Sequence, residues 1–308
     1  MPGLCCLYLL PDKLILLHAL HKEQALTTIT FIEVSVAQRS SLRVILDSII
    51  KKHGLQGAAC TWVLHRSYYQ LLLLDPPAVE KDEVSSALKW QIKELINFPA
   101  QNAYIEYFPI PSPLAVKEKI YVAAAQSQAL QEVADIISAA GLNLKYIDIS
   151  ELALRNINAL YGDDQCYLGL LAFDQDQAEF MITHQGNLLV SRQLALPKAI
   201  NADELNILAQ EKLVPPDWLN KLISEIQHSF TYCQSQQQKE LPTKFLLVTP
   251  AAEFATYLGT LLNMPAEQVQ IEKKLNFEFV LPADEYLSLD YLIAIGAALR
   301  RSVLHARH

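Results

Sequence analysis

Nine glycines are scattered over 308 residues, at positions 3, 54, 57, 141, 162, 169, 186, 259 and 296. Average usage of about 7% would supply roughly 22. A loop that cups a phosphate needs bare backbone, because successive N–H groups must converge with no Cβ in the way. From these positions no GG, GxG, GxxxxGK or GxSxG can be written, and none has an Asp two residues before it. The P-loop, the dinucleotide fingerprint and the nucleophile elbow are therefore excluded. The shortage does not mark disorder, since 51% of the residues are apolar and 19% charged. A chain of this length and composition buries a real core, as one large domain or two ordinary ones.

Charge and cysteine usage narrow the partners. Lys and Arg number 25 against 33 Asp and Glu, a net charge of −8. With no long basic block, nucleic acid is a poor partner. The cysteines at 5, 6, 60, 166 and 233 are odd in number and form no CxxC, which argues against a disulfide framework or a zinc site and suits a reducing compartment. The opening residues lack a basic n-region, and Pro11, Asp12 and Lys13 break their apolar run, so no signal peptide is expected. No uncharged apolar stretch approaches the roughly 18 residues that would span a bilayer. The expectation is a cytoplasmic protein without direct membrane insertion, able to dock on a membrane complex.

Hydrophobic periodicity predicts strands at Leu4–Leu10, Leu14–Leu20 and Leu26–Ser35, then a helix at Ser41–His53 closed by Gly54. Strands at Ala59–Leu64 and Tyr68–Leu74 lead to a helix at Glu80–Ile96 with a stripe of Val84, Leu88, Ile92 and Leu95. Next come strands Ala103–Phe108 and Lys119–Ala125, helix Ser127–Ala140, strand Asn143–Ile149 and helix Ser150–Leu160. After Gly162-Asp163-Asp164 the pattern restarts with strands Cys166–Phe173, Ala178–Thr183 and Leu188–Leu196. A long helix at Pro216–Gln234, a strand at Lys244–Val248, and helices at Ala251–Leu262 and Asp284–Arg301 complete it. Both halves read as three strands, then helix, strand and helix. A doubly wound sheet would alternate from its first strand instead.

That duplicated plan resembles the actin-like superfamily. The likeness sharpens where Ile120-Tyr-Val-Ala-Ala-Ala, Ala140-Gly141-Leu142 with the strand ending at Asp148, and Glu151-Leu-Ala153-Leu154 resemble the PilM family of type IV pilus assembly proteins. Leu222–Tyr232 resembles that family's long helix, and Ala294-Ile295-Gly296-Ala297-Ala298-Leu299-Arg300 its closing helix. The nearest branch includes MshI of the mannose-sensitive haemagglutinin (MSHA) pilus system, and the cytoplasmic part of the secretion protein GspL is a relative. The resemblance implies an α/β, duplicated actin-like (ribonuclease H-like) fold. One half would cover 1–160, with a small α+β subdomain inserted at about 76–118, and the other 161–308. It also implies a cytoplasmic scaffold, peripheral at the inner membrane, that meets other pilus-platform proteins and holds the tail of a PilN-like bitopic membrane protein.

Nucleotide-binding members of the superfamily use three glycine-dependent loops. At those places this chain has Leu9-Leu10-Pro11-Asp12-Lys13-Leu14, Ala172-Phe173-Asp174-Gln175-Asp176-Gln177 and Val248-Thr249-Pro250-Ala251-Ala252. None contains Gly, and Pro11 removes a donor. A pseudo-ATPase without catalytic residues and with no cofactor is expected. The alternatives are an active actin-like ATPase of the same platform with a remodelled pocket, or a sugar or acetate kinase that would need the missing glycines. Asp12, Asp174 and Asp176 are residual Mg²⁺ candidates, although Asp is common in turns for its side-chain-to-backbone hydrogen bonds. His18 and His21 face opposite ways on a strand, and His305 and His308 sit at a terminus, so no metal site is expected. Trp90 falls on the polar side of its helix and reads as an interface residue. Together with Ile96, Phe98, Tyr104 and Phe108 it is the expected groove for an apolar-and-basic tail, with Trp90→Ala expected to weaken binding by about 2 kcal/mol.

Overall fold

The computed structural model describes residues 4–22, 25–38, 41–111, 118–162, 166–174, 177–197, 200–211, 214–237, 240–249, 251–275 and 288–300. The chain divides into one unit of Met1–Leu20 and Thr30–Ser150 and another of His21–Ile29 and Glu151–His308.

The first five-stranded sheet comprises β1 (Leu4–Leu9), β2 (Lys13–Lys22), β3 (Ala25–Ser35), β4 (Ala59–Leu64) and β8 (Asn143–Ile149), in the order β3-β2-β1-β4-β8. Every residue of β1 is buried, as an apolar run with no polar alternation requires of a central strand. It pairs antiparallel with β2 and parallel with β4. Helix α1 (Leu42–His53) buries Leu42, Leu46, Ile49 and Ile50. It ends as its sequence predicts, with Lys51, Lys52 and His53 in the last turn and Gly54 at φ 65°.

A second, three-stranded sheet is inserted after β4. It comprises β5 (Tyr69–Leu74), β6 (Ala103–Ile110) and β7 (Lys119–Gln126), in the order β5-β7-β6, with α2 (Val84–Ile92) on one face. The sheet thus runs from Tyr69 to Gln126 rather than filling 76–118, because its central strand and one edge lie outside that window. Helix α2 is shorter than the expected Glu80–Ile96. The Glu83 N–H bonds Glu80 O, and the Lys93 and Leu95 N–H groups bond Trp90 O and Ile92 O, all i→i−3 turns that tighten the chain. Leu95 consequently leaves the apolar stripe and is 49% exposed. Helix α3 (Ser127–Ala139) then returns the chain to β8, ending at Gly141 with φ 75°.

The second unit repeats the frame. It contains α4 (Ser150–Asn158, from Glu151 onward), β9 (Tyr167–Asp174), β10 (Gln177–His184), β11 (Asn187–Ala195), α5 (Ala202–Glu211), α6 (Asp217–Gln237), β12 (Lys244–Val248), α7 (Ala252–Leu262), β13 (Ala266–Gln268) and α8 (Leu289–Ala298). Its strand order, β11-β10-β9-β12-β13, is that of the first sheet step for step. β13 is absent from the sequence reading because Ala-Glu-Gln carries no apolar pattern. The unit boundary falls at Ser150 rather than 160, because α4 packs on α8. A Cβ on Gly296 would lie 2.1 Å from Ala153 O, and the Asn156 amide donates to Gly296 O at 2.9 Å. The expected C-terminal helix is described from Leu289; 284–287 and 301 lie outside the described residues. No described helix is long and apolar enough to cross a membrane.

Candidate functional site

A cavity of about 360 Å³ opens in the first unit where the chain leaves the main sheet for the inserted one. Leu9 of β1, Leu42 of α1, and Trp62 and Leu64 of β4 line it, and all four are at least 95% buried. The other wall is α3. Ala129, Val133 and Ile136 recur at the i, i+4, i+7 spacing of one helix face, with Glu132 and Asp135 beside them. Ile137, one step round, is fully buried, while Ile136 stays half-buried at the cavity. A single helical turn, Arg66–Tyr68, carries the chain from β4 to β5 and adds His65 and Tyr68. The Ser67 N–H donates to His65 Nδ1 at 3.4 Å, the Ser67 hydroxyl lies 2.9 Å from the same nitrogen, and the Tyr68 N–H donates to His65 O.

The two carboxylates are held along their own helix. Gln128 Nε2 donates to Glu132 Oε1 at 3.1 Å, and Gln131 Nε2 donates to Asp135 Oδ1 at 2.8 Å. Among the described residues neither faces a cationic partner within bonding distance. The result is an apolar recess with a negative lip. Its volume is at the small end of the roughly 300–1,000 Å³ typical of ligand pockets, room for a few aliphatic side chains.

The residues singled out from sequence are distributed differently. Trp90 is 77% exposed on α2, with Lys93 Nζ 5.7 Å from its ring. Ile96 and Phe98 pack onto the core that α2 forms with one face of the inserted sheet, beside Leu88, Ile92 and Ala103. Tyr104 and Phe108 lie on the opposite face of that sheet, because they alternate with Ala103 and Ile105 along β6. Phe108 contacts Tyr121 at 5.5 Å, and the Tyr104 hydroxyl donates to Glu106. The five therefore form no single groove, and none lines the cavity. The residues that do line it went unread because their strands, helix and turn meet only in three dimensions. The one local signal was acidic residues interleaved with the apolar stripe of α3.

Two of the three glycine-free loops spend backbone groups within the chain. In the β1–β2 turn the Leu10 N–H donates to Lys13 O at 2.9 Å, and Asp12 O accepts from the Val36 N–H at 2.7 Å. After β12 the Ala251 N–H donates to the Thr249 hydroxyl at 3.1 Å, and Thr249 O accepts from Gln268 Nε2 at 2.7 Å. Phe173, at the end of β9, meets Phe254 of α7 edge-on, with centroids 5.9 Å apart. Asp12 is exposed, Asp174 ends β9, and Asp176 lies outside the described residues, as do His305 and His308. Among the described residues no group of three or more His, Cys, Asp or Glu side chains is placed to hold a metal.

No family model matches the sequence, and no curated protein matches it. Solved structures do. The chain superposes on the structure described as the PilM-PilN type IV pilus biogenesis complex with a TM-score of 0.69 at 16% identity, over 97% of this chain and 98% of that one. The cytoplasmic domain of EpsL, an inner membrane component of the type II secretion system of Vibrio cholerae, gives 0.46 at 13% identity, over 99% and 96%. A Bacteroides thetaiotaomicron protein of unknown function with an actin-like ATPase fold gives 0.46 at 9% identity, over 95% of each chain. The chain has the duplicated actin-like fold, with mixed α/β content in each half.

Proposed function

We propose that this protein is a cytoplasmic scaffold of a type IV pilus or related secretion platform at the inner membrane, and that it holds the cytoplasmic tail of a PilN-like bitopic protein. The observation that carries the proposal is the negative-lipped apolar cavity on the frame that the PilM of the PilM-PilN complex also uses. A protein whose phosphate loops lack glycine acts by holding something, and an extended peptide with alternating apolar side chains fits such a recess. Within the pilus systems, the sequence likeness favours the MSHA type and its MshI branch. The same loops favour a pseudo-ATPase, because the Leu10 and Ala251 N–H groups are already bonded within the chain.

The test is calorimetry with a synthetic peptide of the cytoplasmic tail of a PilN-like protein from the same organism. Binding in about the micromolar range is expected, and Ile136→Lys, which places a long side chain at the cavity mouth, should weaken it by about 2 kcal/mol. No binding by the wild type, or equal binding by the variant, overturns the proposal.

A further inference from the structure

Helix α2 buries one side and leaves the other open to solvent. Leu88 and Ile92 are fully buried, and Val84 packs against the same core. Glu83, Ser86, Trp90 and Lys93 are all exposed. The backbone is helical from Glu83 through Lys93, since both caps keep right-handed helical angles. At about 100° per residue these four fall within about 40° of the line opposite Leu88, so they form one stripe. Lys93 Nζ, 5.7 Å from the Trp90 ring centroid, is within cation–π range. Among the described residues neither Glu83 nor Lys93 has an ion-pair partner. With Lys89 and Glu94 on its flanks, the stripe carries two charges of each sign. Such a neutral surface selects neither an acidic peptide nor an anionic bilayer, both of which call for one sign. It suits a copy of itself, because its acid lies at one end and its base at the other.

We propose that this stripe is a two-fold self-association surface, in which α2 packs antiparallel on α2 of a second copy. With the axis level with Leu88, each residue meets the one equally far on the other side of it. Trp90 of one copy then meets Ser86 of the other, a large side chain against a small one, and Glu83 meets Lys93. Symmetry makes each contact twice. Glu83 and Lys93 are about 15 Å apart along the helix, so the two ion pairs close the ends of a contact whose centre holds both indoles. The −8 charge of each copy opposes the approach. At about 0.15 M salt, however, charges more than about 8 Å apart are largely screened, and the paired charges are closer than that. One helix and one indole per copy bury less than the roughly 1,000 Å² of a lasting interface. The contact is therefore weak, with a dissociation constant of roughly 100 µM. Copies held side by side on a platform reach effective concentrations of about millimolar, but the contact itself does not rest on the platform reading.

The test is sedimentation equilibrium of the full chain in reductant, from about 5 to about 500 µM. The wild-type mass should rise from 34.6 kDa towards twice that value. Trp90→Ala should weaken association about tenfold or more. Glu83→Lys and Lys93→Glu should each weaken it about fivefold, since each turns two attractions into two repulsions. An equimolar mixture of those two variants should associate within about twofold of wild type, because one then supplies both bases and the other both acids. Melting temperatures equal to that of wild type check that these surface changes leave the fold intact. Should Trp90→Ala melt lower, the mixture decides alone. A wild type that stays monomeric throughout, association that an intact Trp90→Ala leaves unchanged, or a mixture no stronger than its components overturns the proposal, and none of these results bears on the cavity.

Discussion

The two five-stranded sheets share a strand order but fill their centres with different chemistry. In the first, the parallel contact between β1 and β4 pairs Cys5 with Cys60, both buried. In the second, the contact between β9 and β12 pairs Gly169 with Phe245. There the glycine is obligatory, since a Cβ at 169 would sit 2.4 Å from the Phe245 ring. Phe245 in turn stacks on Phe180 at 6.0 Å and meets Phe230 at 6.3 Å. One centre is assembled from small, soft groups and the other from a bare backbone and three rings. Topology therefore specifies which strands touch, while the volume at each touch is free to be divided differently. The larger departure is the inserted sheet, which among the described residues only the first unit carries within its frame, and the cavity opens at the junction that insertion creates.

The largest predicted effect tests this contrast. Phe245→Ala should cost about 4 kcal/mol, because a ring removed from between two others leaves a void the rigid sheet does not close. Cys60→Ala in the first sheet should cost only about 1 kcal/mol. Denaturant melts of the two variants measure both. Equal losses would mean that the thiol-lined centre is packed as tightly as the aromatic one. Burial also pushes the Cys5 thiol up to about 12. Cys5, Cys6, Cys60 and Cys233 should therefore resist alkylation at neutral pH in the native state, while the half-buried Cys166 reacts.

The second effect concerns the cavity. Ile136→Lys should weaken the tail peptide by about 2 kcal/mol without lowering the melting temperature, since Ile136 is half-buried at the mouth rather than in the core. A variant that binds like wild type would mean that the junction is only a packing defect of the insertion.

The frame was legible in the sequence because each element announces itself locally. β1 is an uninterrupted apolar run, α1 ends in basic residues and Gly54, and the pattern restarts after residue 162. The site was not, for two physical reasons. Strand alternation sends Tyr104 and Phe108 to the face opposite the one that Ile96 and Phe98 cover, a fact fixed by register and not by composition. The cavity walls, in turn, come from segments as far apart as Leu9 and Ile136, so no window of sequence contains them. Trp90 illustrates the limit, because periodicity places it outward, where it is 77% exposed, yet exposure alone names no ligand.

Trp90→Ala therefore supplies a smaller contrast within the first unit. With the cavity formed by α3 and not α2, the substitution should change stability by less than about 0.5 kcal/mol and leave tail binding by calorimetry within error of wild type. A loss near the 2 kcal/mol of an interface hot spot would move the seat from α3 to the outer face of α2.

The smallest expected effect compares the loops of the two halves with each other. A phosphate cradle needs several backbone N–H groups pointing at one anion. In the first half the Leu10 N–H is spent on Lys13 O and Pro11 has none to offer. In the second, the Ala251 N–H is spent on the Thr249 hydroxyl. Millimolar Mg-ATP should accordingly leave the melting temperature where a salt of equal ionic strength leaves it. The measurement is sensitive, because a ligand at 100 times its dissociation constant adds about 2.7 kcal/mol to the folded state. That corresponds to a rise of several degrees for units of roughly 150 residues. Such a rise with ATP, and not with the salt control, would mean that a remodelled pocket binds nucleotide without glycine. An ATPase assay on the same sample would then separate an active platform ATPase from a nucleotide-clamped scaffold.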